Sequence, residues 1–172
     1  MSAAALAPAS AASTAATCAA TAASWGSLPK SLNRMTSAPI TNAHAGRQAC
    51  FDRLVVDLRG RGSGYSVRYV SQVRSEGQGA VVLLRGGARL SVVITALAYD
   101  INTRRSTYRP ANRLALVNVA GFSTFRQIAW GGTYEGYTTI GLGVRGRLPM
   151  RVFILNRPGT GSRVVIDVAH HW

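Results

Sequence analysis

The chain has 172 residues and a formal net charge of +14, from 20 Lys and Arg against six Asp and Glu; Lys30 is the sole lysine, so 19 of those cations are Arg. With 47% hydrophobic residues, this length suits one globular domain with a real core and excludes a disordered polybasic tail, which lacks aliphatic residues to pack. Six acids leave little for a carboxylate active site or a calcium cage, and no run of about 18 apolar residues reads as a transmembrane helix. Two readings of the arginine excess stay open: an anionic partner, or the codon usage of a GC-rich genome, which favours Arg and Ala over Lys.

In chain order, residues 1–24 hold 13 Ala, 4 Ser and 3 Thr and no charge. Ala favours helix, but the interleaved Ser and Thr, Pro8 and the lack of a large docking residue read as an extended, disordered linker. Ala5-Leu6-Ala7 and Ala9-Ser10-Ala11 have the small-residue spacing of a signal-peptidase site, without a basic start or a leucine-rich stretch. Export also suits the two cysteines, Cys18 and Cys50, as one disulfide in an oxidising compartment. Closing a loop of about 33 residues corresponds to roughly 3.5–4 kcal/mol in the chain-entropy model. The alternatives are an acylated Cys18, although Ala15-Ala16-Thr17 lacks the usual leucine of a lipobox, or two unrelated thiols.

Residues 25–50 read as an extended lead-in interrupted by Pro29 and Pro39, with Trp25, Leu28 and Leu32 available to clip it to the domain. Residues 46–172 carry +12 (18 Arg less six acids), so the charge belongs to the folded part.

From about residue 40 the apolar period is two. Phe51 to Leu58 points Leu54, Val56 and Leu58 one way and Arg53 and Asp57 the other. Ser66 to Val73 aligns Val67, Tyr69 and Val73, and Arg89 to Ala96 aligns Leu90, Val92, Ile94 and Ala96. Leu114–Val119, Phe125–Trp130, Thr138–Val144 and Met150–Leu155 are further strand candidates. Arg163 to Ala169 sets Val164, Ile166 and Val168 against Arg163, Val165 and Asp167. Turn signals separate them at 59–64, 76–79, Gly86-Gly87, Gly131-Gly132 and 157–159. About eight to ten short strands and no long amphipathic helix predict an all-β fold, a compact antiparallel β-sandwich. Tyr99 to Arg113, with Arg104, Arg105, Arg109 and Arg113, reads as a basic surface loop.

The residues for catalysis are sparse. The histidines are His44, His170 and His171; adjacent His170 and His171 at a strand end point to opposite faces, which suits an exposed pair better than a zinc site. No nucleophile elbow occurs. The glutamates are Glu76, in a turn, and Glu135, and cross-strand ion pairs with Arg53 and Arg163 account for Asp57 and Asp167 better than glycosidase chemistry does. The Gly-rich runs 59–64 and 141–146 lack the phosphate-loop spacing and read as turns. No enzyme, metal or cofactor is expected. The candidate binding surface is the aromatic run Trp130, Tyr134 and Tyr137, with Arg126, Arg145 and Arg147 beside it and Arg104, Arg105 and Arg109 on the basic loop; aromatic faces stack on sugars and guanidinium groups hold anions. The competing reading is that Trp130 and Tyr134 cap the core.

The ordered motifs FDRLVVDLRG, GYSVRYV, LSVVITALAYD, FRQIAWGGTYEGYTTIGLGVRGRLPMRVFIL and SRVVIDVAH together resemble the AMIN-like domain of exported proteins in high-GC Gram-positive bacteria, over about residues 38–172. The two cysteines, one before WGSLPK and one before FDR, also look like members of that family. The resemblance implies a β-sandwich similar to the AMIN domain that targets amidases and secretins to the envelope by binding peptidoglycan. It implies no catalysis and supplies no set of binding residues.

The expected function is thus a secreted, non-enzymatic envelope module that binds peptidoglycan or another anionic cell-wall glycopolymer. A module that partners another envelope protein by strand addition is the alternative. Nucleic-acid binding is disfavoured by the single lysine and the absence of a recognisable motif.

Overall fold

The computed structural model describes the backbone of residues 9–172 and side chains from residue 14 onward; Ala5-Leu6-Ala7 lies outside the described residues. These form one helix, α1 (Ala9–Ala23), and eleven strands: β1 (Lys30–Leu32), β2 (Ile40–Arg47), β3 (Phe51–Leu58), β4 (Tyr65–Val70), β5 (Val73–Arg74), β6 (Val81–Val82), β7 (Ala88–Ile94), β8 (Phe125–Tyr134), β9 (Tyr137–Val144), β10 (Met150–Asn156) and β11 (Ser162–Ala169). One sheet has the order β10-β11-β3-β2 and the other β1-β4-β7-β9-β8, all neighbours antiparallel, with β5 and β6 a separate small ribbon.

The two-residue period decides which side chains meet between the sheets. Leu54, Val56 and Leu58 of β3 and Val164, Ile166 and Val168 of β11 are buried in one cluster with Val67, Leu90, Val92, Ile94, Ile128, Ile140 and Leu142 of the facing sheet. Each such side chain contributes about 1.5–3 kcal/mol of transfer free energy.

The outer face of the four-stranded sheet carries the expected ion pairs. Arg53 binds Asp167 through two hydrogen bonds (2.7 and 2.9 Å), Arg151 reaches the same carboxylate at 2.8 Å, and Arg163 pairs with Asp57 at 2.9 Å. The fully buried Asp167 carboxylate, by its hydrogen bond, raises the Arg53 pKa above its ordinary value. The Arg151 guanidinium also lies 4.4 Å from the Trp25 ring centre, and Trp25 packs edge-on to Phe51. Trp25 therefore docks the lead-in, whereas Leu28 is exposed.

Several local expectations are corrected. Residues 9–23 are helical rather than extended or disordered. Alanine propensity prevails, and the Thr21 and Ser24 hydroxyls donate back to the Thr17 and Thr21 carbonyls instead of breaking the helix. A Cys18–Cys50 disulfide, with Cα atoms 5.1 Å apart, ties α1 to the residue before β3. Ile40–Arg47, read as part of the lead-in, is a strand because it pairs with β3. Leu114–Val119 is not a strand: the Asn112 and Asn118 side chains accept the Leu114 and Ala120 amide protons and bend the chain at both ends. Gly131-Gly132 is not a turn but a bulge inside β8. Gly132 takes φ +102° there, and a Cβ at Gly131 would press on Thr139 at 2.7 Å.

Gly141 and Gly143 are likewise inside β9, not in a turn. The segment leading into β7 lies flat on them, so a Cβ at Gly141 would stand 2.9 Å from Leu84 Cδ1 and one at Gly143 would strike the Arg85 carbonyl. Nor are His170 and His171 an exposed pair. His171 is exposed, while the His170 ring is largely covered, with Nε2 3.2 Å from Asp52.

Candidate functional site

Strand β8 ends its sheet, and an edge strand needs cover for its unpaired backbone groups. The bent segment after Arg113 supplies part of it: Leu116 N–H donates to the Ile128 carbonyl at 2.8 Å and Trp130 N–H to the Arg113 carbonyl at 2.6 Å. On the outer face, the segment holding β5 and β6 lies against β8 and β9, with Glu76 N–H donating to the Gly131 carbonyl at 2.8 Å.

Between these two layers runs a groove of about 1010 Å³, with Val81, Leu83 and Arg85 on one wall, Arg113 and Leu114 on the other, and Gln127 and Trp130 at its base. It shares Arg113 and Trp130 with a cavity of about 600 Å³ that reaches Tyr134. It shares Arg85 and Gln127 with another of about 570 Å³ that reaches Phe122 and Arg126. The three follow the ten residues of β8, roughly 30 Å of extended chain.

Gln127 holds the walls. Its Oε1 accepts the Arg85 amide proton at 2.9 Å and its Nε2 donates to the Leu114 carbonyl at 2.9 Å. Leu83 and Leu114 remain 76% and 60% exposed, an apolar pair flanked by Arg85, Arg89 and Arg113. The carboxylate lining these cavities is Glu76, and it is engaged by the Thr139 hydroxyl at 2.6 Å. The groove is therefore cationic along most of its length.

The structure separates the expected site residues. Arg126, Trp130 and Tyr134 border the groove. Trp130, 9% exposed, belongs to the core and packs edge-on to Tyr108 at 5.3 Å, where burial raises the Tyr108 pKa. Tyr134 is 52% exposed and sits opposite Tyr137 at the tip of the β8–β9 hairpin. Arg145 and Arg147 lie beyond the other end of that hairpin, more than 20 Å of strand away by the residue rise (~3.3 Å each). There Arg145 donates to the His170 carbonyl, and Arg147 binds Ser27 and stacks on the Tyr69 ring. Arg126 is spent partly on the Phe122, Ser123 and Phe125 carbonyls.

Arg104, Arg105 and Arg109 are exposed on the long loop. Asp100 closes the turn beneath Arg104 by accepting the Asn102 and Thr103 amide protons at 2.9 and 3.0 Å, and those bonds hold its carboxyl below the usual pKa. Sequence reasoning missed Arg85, Arg89 and Gln127. Their only signal was polar character beside Gly86-Gly87 and within a strand, and nothing there predicts that the two segments meet.

The fold and groove define the class: an antiparallel β-sandwich domain whose edge strand is flanked by a basic, partly apolar groove. The model of the AMIN-like domain family matches residues 38–170, and the chain belongs to that family. No curated protein and no solved structure matches it.

Proposed function

We propose that this protein is a secreted, non-enzymatic module of the cell envelope that binds anionic cell-wall glycopolymer or peptidoglycan in the groove along β8. The observation that carries the reading is the placement of Arg85, Arg113 and Arg126 with Tyr134, Leu83 and Leu114 in three adjoining open cavities along β8. Guanidinium groups hold carboxylate or phosphate in forked geometry, and aromatic and aliphatic surface covers the apolar face of a sugar ring. An open row of cavities suits a polymer that lies along its length. The AMIN-like family supports an envelope location, and the Cys18–Cys50 disulfide suits an oxidising compartment.

The test is co-sedimentation with purified sacculi at moderate salt. The wild-type chain is expected to pellet with the wall, and the double variant Arg85→Ala, Arg113→Ala to bind at least about tenfold more weakly, from the loss of charged hydrogen bonds. Failure of the wild-type chain to enrich, or equal affinity for sacculi, heparin and DNA, overturns the reading.

A further inference from the structure

We propose that the free edge of β10 is a strand-addition site for an extended acidic peptide of a partner protein. The site lies on the edge opposite the β8 groove and is independent of polymer binding.

The hydrogen-bond pattern identifies which groups are open. Met150 N–H donates outward to the Gly26 carbonyl at 2.8 Å, and the Val152 carbonyl accepts the Tyr65 hydroxyl at 3.1 Å. On the other side Ala169 N–H donates to the Pro149 carbonyl and Arg157 N–H to the Gly161 carbonyl. Odd-numbered residues of β10 therefore bond to β11, and even-numbered ones point away from it. The Val152 N–H and both backbone groups of Ile154 then face outward with no protein partner among the described residues.

The other sheet edges are guarded. The edge of β8 is capped by Leu116 and Arg113, β2 has a bulge near Ile40, and β1 is three residues long. β10 has seven residues in unbroken register with β11 and carries no proline or lysine.

Beside this edge is a cleft of about 560 Å³, with Leu32, Arg34, Arg61 and Tyr65 facing Val152 and Ile154. An incoming strand would lay alternate side chains over Leu32, Tyr65 and Ile154, and the same cleft is lined by the guanidinium of Arg34 and by that of Arg61, which also donates to the Gly159 carbonyl. No carboxylate lines the cleft, so its charge selects an acidic strand. The net charge of +14 opposes pairing with a second copy.

The probe is an end-capped hexapeptide of alternating Val and Glu, titrated into isotopically labelled protein. Amide signals of Val152 and Ile154 are expected to shift and their hydrogen exchange to slow about tenfold at saturation. Replacing Glu by Lys in the peptide is expected to weaken binding about tenfold. A peptide N-methylated on its pairing edge, which cannot form the ladder, is expected not to bind. Ile154→Pro removes the outward donor without touching the bonds to β11 and is expected to abolish binding; if that variant does not fold, the N-methylated peptide decides. Absence of shifts at millimolar peptide, shifts confined to the Arg85–Gln127 groove, equal binding of the N-methylated peptide, or peptide-driven dimerisation would each overturn the proposal. Sacculus binding through β8 is unaffected by any of these results.

Discussion

Gln127 and Leu114 are joined by a 2.9 Å hydrogen bond from the side-chain amide to the backbone carbonyl, and the other end of the same amide accepts the Arg85 amide proton. One buried side chain thus spaces the two walls of the β8 groove. Gln127→Leu has nearly the same volume but leaves the Arg85 N–H and Leu114 carbonyl unpaired. The expected cost is about 1–3 kcal/mol in chemical denaturation, with faster exchange at the Arg85 amide. An unchanged midpoint and unchanged exchange would show that the walls stand without it.

Asp167 is fully buried and serves two arginines. Asp167→Asn keeps the shape and removes the charge. Breaking a buried pair costs about 3–5 kcal/mol; here Arg53 and Arg151 are partly open to solvent, so a loss of about 2–3 kcal/mol is expected after screening. Equilibrium unfolding in urea measures it. A loss under about 0.5 kcal/mol would place this pair with ordinary surface ion pairs.

Gly143→Ala tests the layer over β9. The new methyl would meet the Arg85 backbone carbonyl rather than a flexible side-chain end, so the 84–87 segment must lift. A destabilisation of about 1–3 kcal/mol from overpacking is expected, with the largest amide shifts at Arg85 to Gly87. Gly146→Ala, where nothing stands within 4 Å, is the neutral control.

Reduction of the Cys18–Cys50 disulfide is expected to add two hydrogens to the intact mass and to lower stability by up to about 3–4 kcal/mol in the chain-entropy model. The helix should lose the most exchange protection, because α1 is cross-linked to the sandwich only there and, among its described side chains, buries little besides Ala22. Calorimetry and exchange with and without reductant report the two effects. Unchanged mass on reduction would mean that the bridge does not form.

The turn under Arg104 has a signed dependence on pH. Asp100 has a folded pKa below its unfolded value of about 3.9. Its contribution is therefore present above about pH 4 and is lost as pH falls through the lower folded value. The Asn102 and Thr103 amide resonances should move through that acid range. In Asp100→Asn, which keeps the acceptor but not the charge, the transition should disappear; its persistence would assign it to another group.

The sandwich was legible because burial on one face imposes a period of two. Leu54, Val56 and Leu58, or Leu90, Val92 and Ile94, declare their direction with no knowledge of partners. The ion pairs of Asp57 and Asp167 were legible for the same reason, since charges on the opposite face of neighbouring strands must meet across the ladder. What misled were residues whose role is set by something distant in sequence. Gly131, Gly132, Gly141 and Gly143 look like turn formers, yet they are small because another segment crosses them. Ile40–Arg47 lacks a strong strand pattern and becomes a strand by pairing with β3.

By itself, then, the sequence determined an all-β domain, two cysteines available for one bridge, and an arginine excess that belongs mostly to the folded part. Local alternation, composition and the supply of acids suffice for those conclusions. Only the tertiary structure decided which arginines act together. Arg126 and Arg145 adjoin across the β8–β9 ladder, yet their guanidinium groups bond to different segments, while Arg85 and Arg113, 28 residues apart, line one groove. Chain distance carries no information about which loops a sheet edge brings side by side; the bulge in β8, the bend at Asn112 and the two bonds of Gln127 do.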